Sequence, residues 1–149
     1  MDVVGIDFSG KMIEIAKREV PDGTFIVKDL ADVETLDYML DGIFMQAVLL
    51  HIPKAKAKEA IQRMANKLKK GGYLYVAVKA RKPGGAEEEL CVEEDHGYRY
   101  ERFFSFFSLE EIKQHIEESG LNVVYETATH SGRTDWIQVI AQKKYRSQL

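Results

Sequence analysis

Three residues stand at or just beyond the ends of apolar runs, where a side chain can do chemistry: Asp7, Asp29 and His51. Asp7 closes the strand-like part of "DVVGIDFSGKMIEIA", which reads as a short strand, an acid at its tip, a turn and a helix. A strand of a nucleotide-binding sheet ends in this way, with a carboxylate placed to accept from both hydroxyls of a ribose. The plainer role for such an acid is to help cap the next helix. Asp29 ends "TFIVKDL" in the same manner, and its plainer role is a turn-forming Asp after a strand. His51 follows "GIFMQAVLL". An imidazole with an unperturbed pKa of about 6.5 can take a proton from an attacking nucleophile. It is also a common residue at the entry to a helix. His96, His115 and His130 with Cys91 show no metal-ligand spacing, so no metal is expected.

These residues need elements to hold them. Ser9 is placed to cap a helix carrying Met12, Ile13, Ile15 and Ala16 at helical spacing, and Pro21, Asp22 and Gly23 end it. "TFIVKDL" is a second strand. "GIFMQAVLL" is apolar along nearly its whole length, as in a central parallel strand covered on both faces. An amphipathic helix is predicted from about Ala55 to Leu68, with Lys69 and Lys70 complementing its dipole and Gly71-Gly72 turning the chain out. "YLYVAVKA" is the next strand, and Arg81 to Tyr100 reads as a long loop or flap, mobile over Arg81 to Glu94. Ser108 and Glu111 have capping-box spacing, and "LNVVYETATH" and "DWIQVIAQKK" form a hairpin about "SGRT".

The chain has 149 residues, 45% of them hydrophobic, enough to bury the core of one domain, 1–149. Its net charge of −3, with both signs interleaved, offers no broad basic field, so nucleic acid is not indicated as a partner. One cysteine precludes an internal disulfide and suits a reducing cytosol. No apolar run approaches the roughly 20 residues that cross a bilayer, so no membrane is expected and a cytoplasmic location is. Alternating strands and helices imply an α/β fold: a mostly parallel sheet with helices on both faces and a C-terminal antiparallel hairpin.

In that order and spacing the chain resembles the class I S-adenosylmethionine-dependent methyltransferases, a Rossmann-like family. "VVGIDFSGKMIEIAK" resembles the family's second strand and helix, and "FIVKDL" its third strand. "DGIFMQAVLLHIPKAKAKEAIQRMANKLKKGGYLYVAVK" resembles its fourth strand, helix, double-glycine turn and fifth strand. "RYERFFSFFSLEEIKQHIEESGLNVV" with "DWIQVIAQKK" resembles its C-terminal helix and hairpin. The family's first strand and glycine-rich loop have no counterpart, so the expected fold is N-terminally truncated.

The resemblance implies S-adenosyl-L-methionine as cofactor and an O, N or S nucleophile on an unidentified acceptor. It implies a ribose contact for Asp7, an adenine face for Phe8, and an adenine amino contact for Asp29, beside Leu30. Met45 and Gln46, with Ala47, would face the methionine portion, and His51 would be the base. Phe8 reads equally as core, and the other reading of Met45, Gln46 and Ala47 is as core residues of a fully buried strand. Among Tyr98, Tyr100, Phe103, Phe104, Phe106 and Phe107, the expected anchors to the core are Phe103 and Phe106, with a pocket wall or lid as the other reading. The rival function is a non-catalytic module of the same fold, a partner subunit or scaffold. Open sheet edges would allow copies of the chain to associate.

Overall fold

The computed structural model describes residues 2–95, 97–132 and 134–145. They form two compact units, one within Met1–Tyr38 and one within Met39–Leu149.

The first unit holds β1 (Val4–Asp7), α1 (Gly10–Glu19), β2 (Thr24–Val27) and a 3₁₀ helix over Leu30–Thr35. β1 and β2 pair in parallel, with Val4 opposite Thr24 and Asp7 opposite Val27. The glycine inside β1 has a packing reason. A Cβ on Gly5 would stand 2.6 Å from Cδ1 of Phe25, and one on Gly23 would stand 2.5 Å from its Cε2. Both glycines make room for one ring. Ser9 caps α1 as expected, accepting from the Met12 amide at 3.4 Å. The buried stripe of α1 is narrower than its periodicity suggested, since Ile13 is buried while Met12 and Ile15 are exposed.

The second unit contains β3 (Leu40–Gln46), a 3₁₀ turn over Leu49–His51, α2 (Lys54–Lys67) and β4 (Leu68–Lys79). Then come β5 (Glu88–Asp95), β6 (Tyr98–Ser105), α3 (Leu109–Glu118), β7 (Leu121–Ser131) and β8 (Thr134–Lys143). Its main sheet runs β3-β4-β8-β7, with β3 and β4 parallel and the other two ladders antiparallel. Leu74, Val76, Val78, Ile137 and Val139 are buried on the side where α2 and α3 pack, with Ile61, Met64, Ile112 and Ile116. Each such aliphatic side chain contributes about 1.5–3 kcal/mol by leaving water. The capping box of Ser108 and Glu111 starts α3.

Four expectations need correction. The fold is α/β, but it is not one mostly parallel sheet. Among the described residues two ladders are parallel and three antiparallel, in three separate sheets. β3 is not covered on both faces, because Phe44 is 72% exposed and stacks on Tyr75 with centroids 4.6 Å apart. α2 stops at Lys67 and β4 begins at once, so Gly71, at φ 78, lies within the strand, where the register with β3 slips. The helix end is served by Lys143, whose Nζ donates to the carbonyls of Ala65 and Leu68 at 2.6 and 2.7 Å. Lys69 instead pairs with Asp41. Finally, the long loop is a hairpin. β5 and β6 pair from Glu88–Ser105 to Asp95–Tyr98, so of the expected loop Arg81–Glu87 stays irregular.

Candidate active site

In the first unit the parallel pairing brings Asp7, Phe8, Asp29 and Leu30 to the carboxyl end of the same two strands. The Lys28 amide donates to the Asp7 carbonyl at 2.9 Å, which fixes the two strand ends side by side. Oδ1 of Asp7 accepts from the Ser9 amide at 2.7 Å. The carboxylate therefore supports the turn into α1, as its plainer reading held. No described hydrogen bond engages Oδ2, and a carboxylate has about four acceptor positions. Capping and ligand binding are compatible at this residue. Phe8 is not core: it is 78% exposed, with a ring face open to a planar partner. Asp29 caps the 3₁₀ helix through Oδ1, which accepts from the Ala31 amide at 2.8 Å, and Leu30 is half-buried at the start of that helix.

In the second unit β3 delivers Met45 and Gln46 on opposite faces. Met45 is buried, as its core reading held, while Gln46 is exposed with Oε1 3.0 Å from the Tyr75 hydroxyl. Ala47 then adopts φ 55, a left-handed backbone that costs a non-glycine residue about 1–2 kcal/mol. Its amide donates to the Ala77 carbonyl at 3.1 Å, so the turn stays attached to β4. Strain of this kind collects where a site must be held in one shape. His51 ends the following 3₁₀ turn, exposed, with Nδ1 3.0 Å from the Phe103 carbonyl and its ring 5.0 Å from that of Phe104.

The aromatic run sits one residue off the expected phase. Phe104 and Phe107 are buried, and Phe103 and Phe106 are half-buried. Nζ of Lys79, at the carboxyl end of β4, lies 3.7 Å over the Phe104 ring. The Cys91 thiol is pushed up by burial and by Glu89. Sequence reasoning passed over Lys79 and Ser105, and no local pattern marks either. Among the described residues no group of three His, Cys, Asp or Glu could hold a metal, and His96 lies outside them. No described helix is long and apolar enough to cross a membrane.

In the first unit a strand-end acid and an adjoining aromatic ring stand at the carboxyl end of two parallel strands, where open α/β sheets bind their ligands. The fold is that of the class I S-adenosylmethionine-dependent methyltransferases, whose cofactor is S-adenosyl-L-methionine. Residues 1–72 match the methyltransferase domain family. The chain is 30% identical over 122 residues to the carboxy-S-adenosyl-L-methionine synthase of Idiomarina loihiensis, covering 77% of this chain and 49% of that one. It is 34% identical over 77 residues to the demethylmenaquinone methyltransferase of Renibacterium salmoninarum, covering 52% of this chain and 32% of that one. It thus spans about half the length of the first curated relative and about a third of the second. A solved S-adenosylmethionine-dependent methyltransferase from Methanosarcina mazei matches with a TM-score of 0.79 at 19% identity, over 97% of this chain and 83% of that one. One from Clostridium acetobutylicum matches with a TM-score of 0.80 at 11% identity, over 97% and 76%.

Proposed function

We propose that the chain acts in S-adenosylmethionine-dependent methyl transfer to an oxygen, nitrogen or sulfur nucleophile. The observation that carries this reading is the gathering of Asp7, Phe8 and Asp29 at the carboxyl end of two parallel strands. The residues present fit the nucleoside half of the cofactor. Asp7 has a carboxylate oxygen outside the described hydrogen bonds for the ribose hydroxyls, and Phe8 offers an exposed ring to adenine. Asp29, with Leu30 beside it, would accept from the adenine amino group.

When bound, the cofactor supplies a methyl group on a positively charged sulfur. The chain's task is then to align an acceptor and to take up the proton it loses. His51 is the residue assigned to that proton. The two curated relatives are named for different reactions, so the reading stops at the cofactor and the reaction class. The test is an isothermal titration of this chain with S-adenosylhomocysteine. Saturable binding that Asp7→Ala weakens is the expected result. A folded chain that takes up no ligand would overturn the reading.

A further inference from the structure

We propose that the Phe103–Ser105 segment of β6 is the positioning device for His51. It holds the imidazole as the Nδ1–H tautomer and leaves Nε2 open as a proton acceptor. The inference rests on the role proposed above for His51 and adds the residues that set it.

Nδ1 of His51 lies 3.0 Å from the carbonyl oxygen of Phe103. A carbonyl oxygen can only accept, so the hydrogen in that bond belongs to Nδ1. In the neutral ring Nε2 then carries a lone pair and no hydrogen. No described hydrogen bond engages Nε2, and the residue is exposed. A free histidine side chain in water favours the opposite tautomer, so this bond reverses the intrinsic preference.

The Phe103 carbonyl is itself held in register with the turn. Two residues on, Ser105 has no exposed surface, and its Oγ donates to the Ile52 carbonyl at 2.6 Å. Ile52 is the neighbour of His51. β6 and the turn are therefore joined at two points, on either side of Phe104, whose ring is inclined 48° to the imidazole. A buried hydroxyl that lost this bond would have no water to turn to, which makes the contact directional and persistent. Ser105 is thus a positioning residue: it fixes where the Phe103 carbonyl stands, and that carbonyl selects the tautomer.

The experiment is long-range ¹H–¹⁵N correlation of the histidine rings in labelled protein at about pH 8.5, above the ordinary histidine range. His51 is assigned by loss of its signals in His51→Gln. In the wild type Nδ1 should resonate as a protonated nitrogen and Nε2 as an unprotonated one. In Ser105→Ala the ratio of Nδ1–H to Nε2–H forms should fall about three- to tenfold, the worth of one net hydrogen bond. Ser105→Thr keeps the hydroxyl and should keep the wild-type ratio. A wild-type ring protonated on Nε2, or averaging between tautomers, would overturn the proposal. So would an unchanged ratio in Ser105→Ala. If Ser105→Ala does not fold, the wild-type and Ser105→Thr spectra still decide. Neither cofactor nor acceptor enters the measurement. Failed S-adenosylhomocysteine binding would sink the proposed function and with it the use of the open Nε2, leaving the tautomer and its positioning standing, whereas the wrong tautomer would sink this inference alone.

Discussion

The ammonium of Lys143, the last residue of β8, donates to the carbonyl of Leu68, the first residue of β4, at 2.7 Å. The same group donates to Ala65, so one side chain from the far end of the chain serves the open end of α2. Helices end with carbonyls that lack intrahelical partners, and a cation there is stabilising.

Lys143→Met should therefore destabilise the fold by about 1–2 kcal/mol, the range for a partly buried cation at a helix C-terminus. Lys69→Met should cost less than about 0.5 kcal/mol, since its pair with Asp41 is exposed. Denaturant melts of both variants are the measurement. Equal losses would return the capping role to the lysines beside the helix. Burial, with a smaller contribution from Lys70, holds the Lys143 ammonium below the usual lysine range. Taking the charge out of water therefore carries a cost at neutral pH, which the bonds to the Ala65 and Leu68 carbonyls must outweigh for Lys143→Met to destabilise. That cost is relieved only as pH rises through the folded value toward the ordinary one.

A second expectation concerns the hairpin. Glu88 to Ser105 is dense in charge and lacks a long apolar run, but opposite charges meet across it, as in the Glu93–Arg102 pair at 3.1 Å. Amide hydrogen exchange should find Glu89 to Val92 protected and Lys82 to Ala86 exchanging fast. Uniformly fast exchange from Lys82 to Val92 would restore the loop reading.

What could be read from sequence was what depends on near neighbours. Ser9, and Ser108 with Glu111, announce helix starts because a cap joins residues two or three apart. The hairpin β7–β8 is visible in two alternating runs about a short turn. Asp7 and Asp29 are legible as strand-end acids. That the Lys28 amide ties the end of β2 to Asp7 depends on parallel pairing, which no spacing encodes. The partners of Lys143 lie 75 and 78 residues away. Ser105 reads as one more polar residue in an aromatic run, and its bond to Ile52 spans 53 residues. The exposure of Phe44 follows from which side of the sheet α2 and α3 cover, and an apolar run looks the same either way.

A third expectation tests the join between those two helices. The ammonium of Lys58 on α2, and next the amide of Gln114, hold the Glu118 carboxyl on α3 below the usual carboxylate range. A carboxylate favoured in this way contributes stability above its unfolded value. That contribution is lost as pH falls through the lower, folded one. In Lys58→Met the Glu118 carboxyl should titrate closer to its ordinary value, measured by NMR on the side-chain carbonyl. Because both groups are exposed, added salt should move the wild-type titration the same way. A titration unchanged by substitution and by salt would dissolve the pair.

The last expectation separates folding from binding at the proposed nucleoside site. Phe8 is exposed, so Phe8→Ala should leave stability within about 0.5 kcal/mol of the wild type. If its ring stacks on adenine, the same change should weaken S-adenosylhomocysteine binding by about 1–3 kcal/mol, the worth of a base–aromatic contact. Asp7 needs a finer variant, because its Oδ1 already accepts from the Ser9 amide and truncation would disturb the turn. Asp7→Asn keeps an acceptor for that amide while removing the charge. It should melt close to the wild type and bind more weakly by up to about 1.5–3 kcal/mol, the range for hydrogen bonds to a charged group. Asp7→Ala should lose both stability and binding. Paired melts and titrations of the three variants are decisive. Were Asp7→Asn and Phe8→Ala to bind as tightly as the wild type, the carboxylate would be a helix-entry device and the ring an ordinary surface residue, and the nucleoside would have to be held elsewhere.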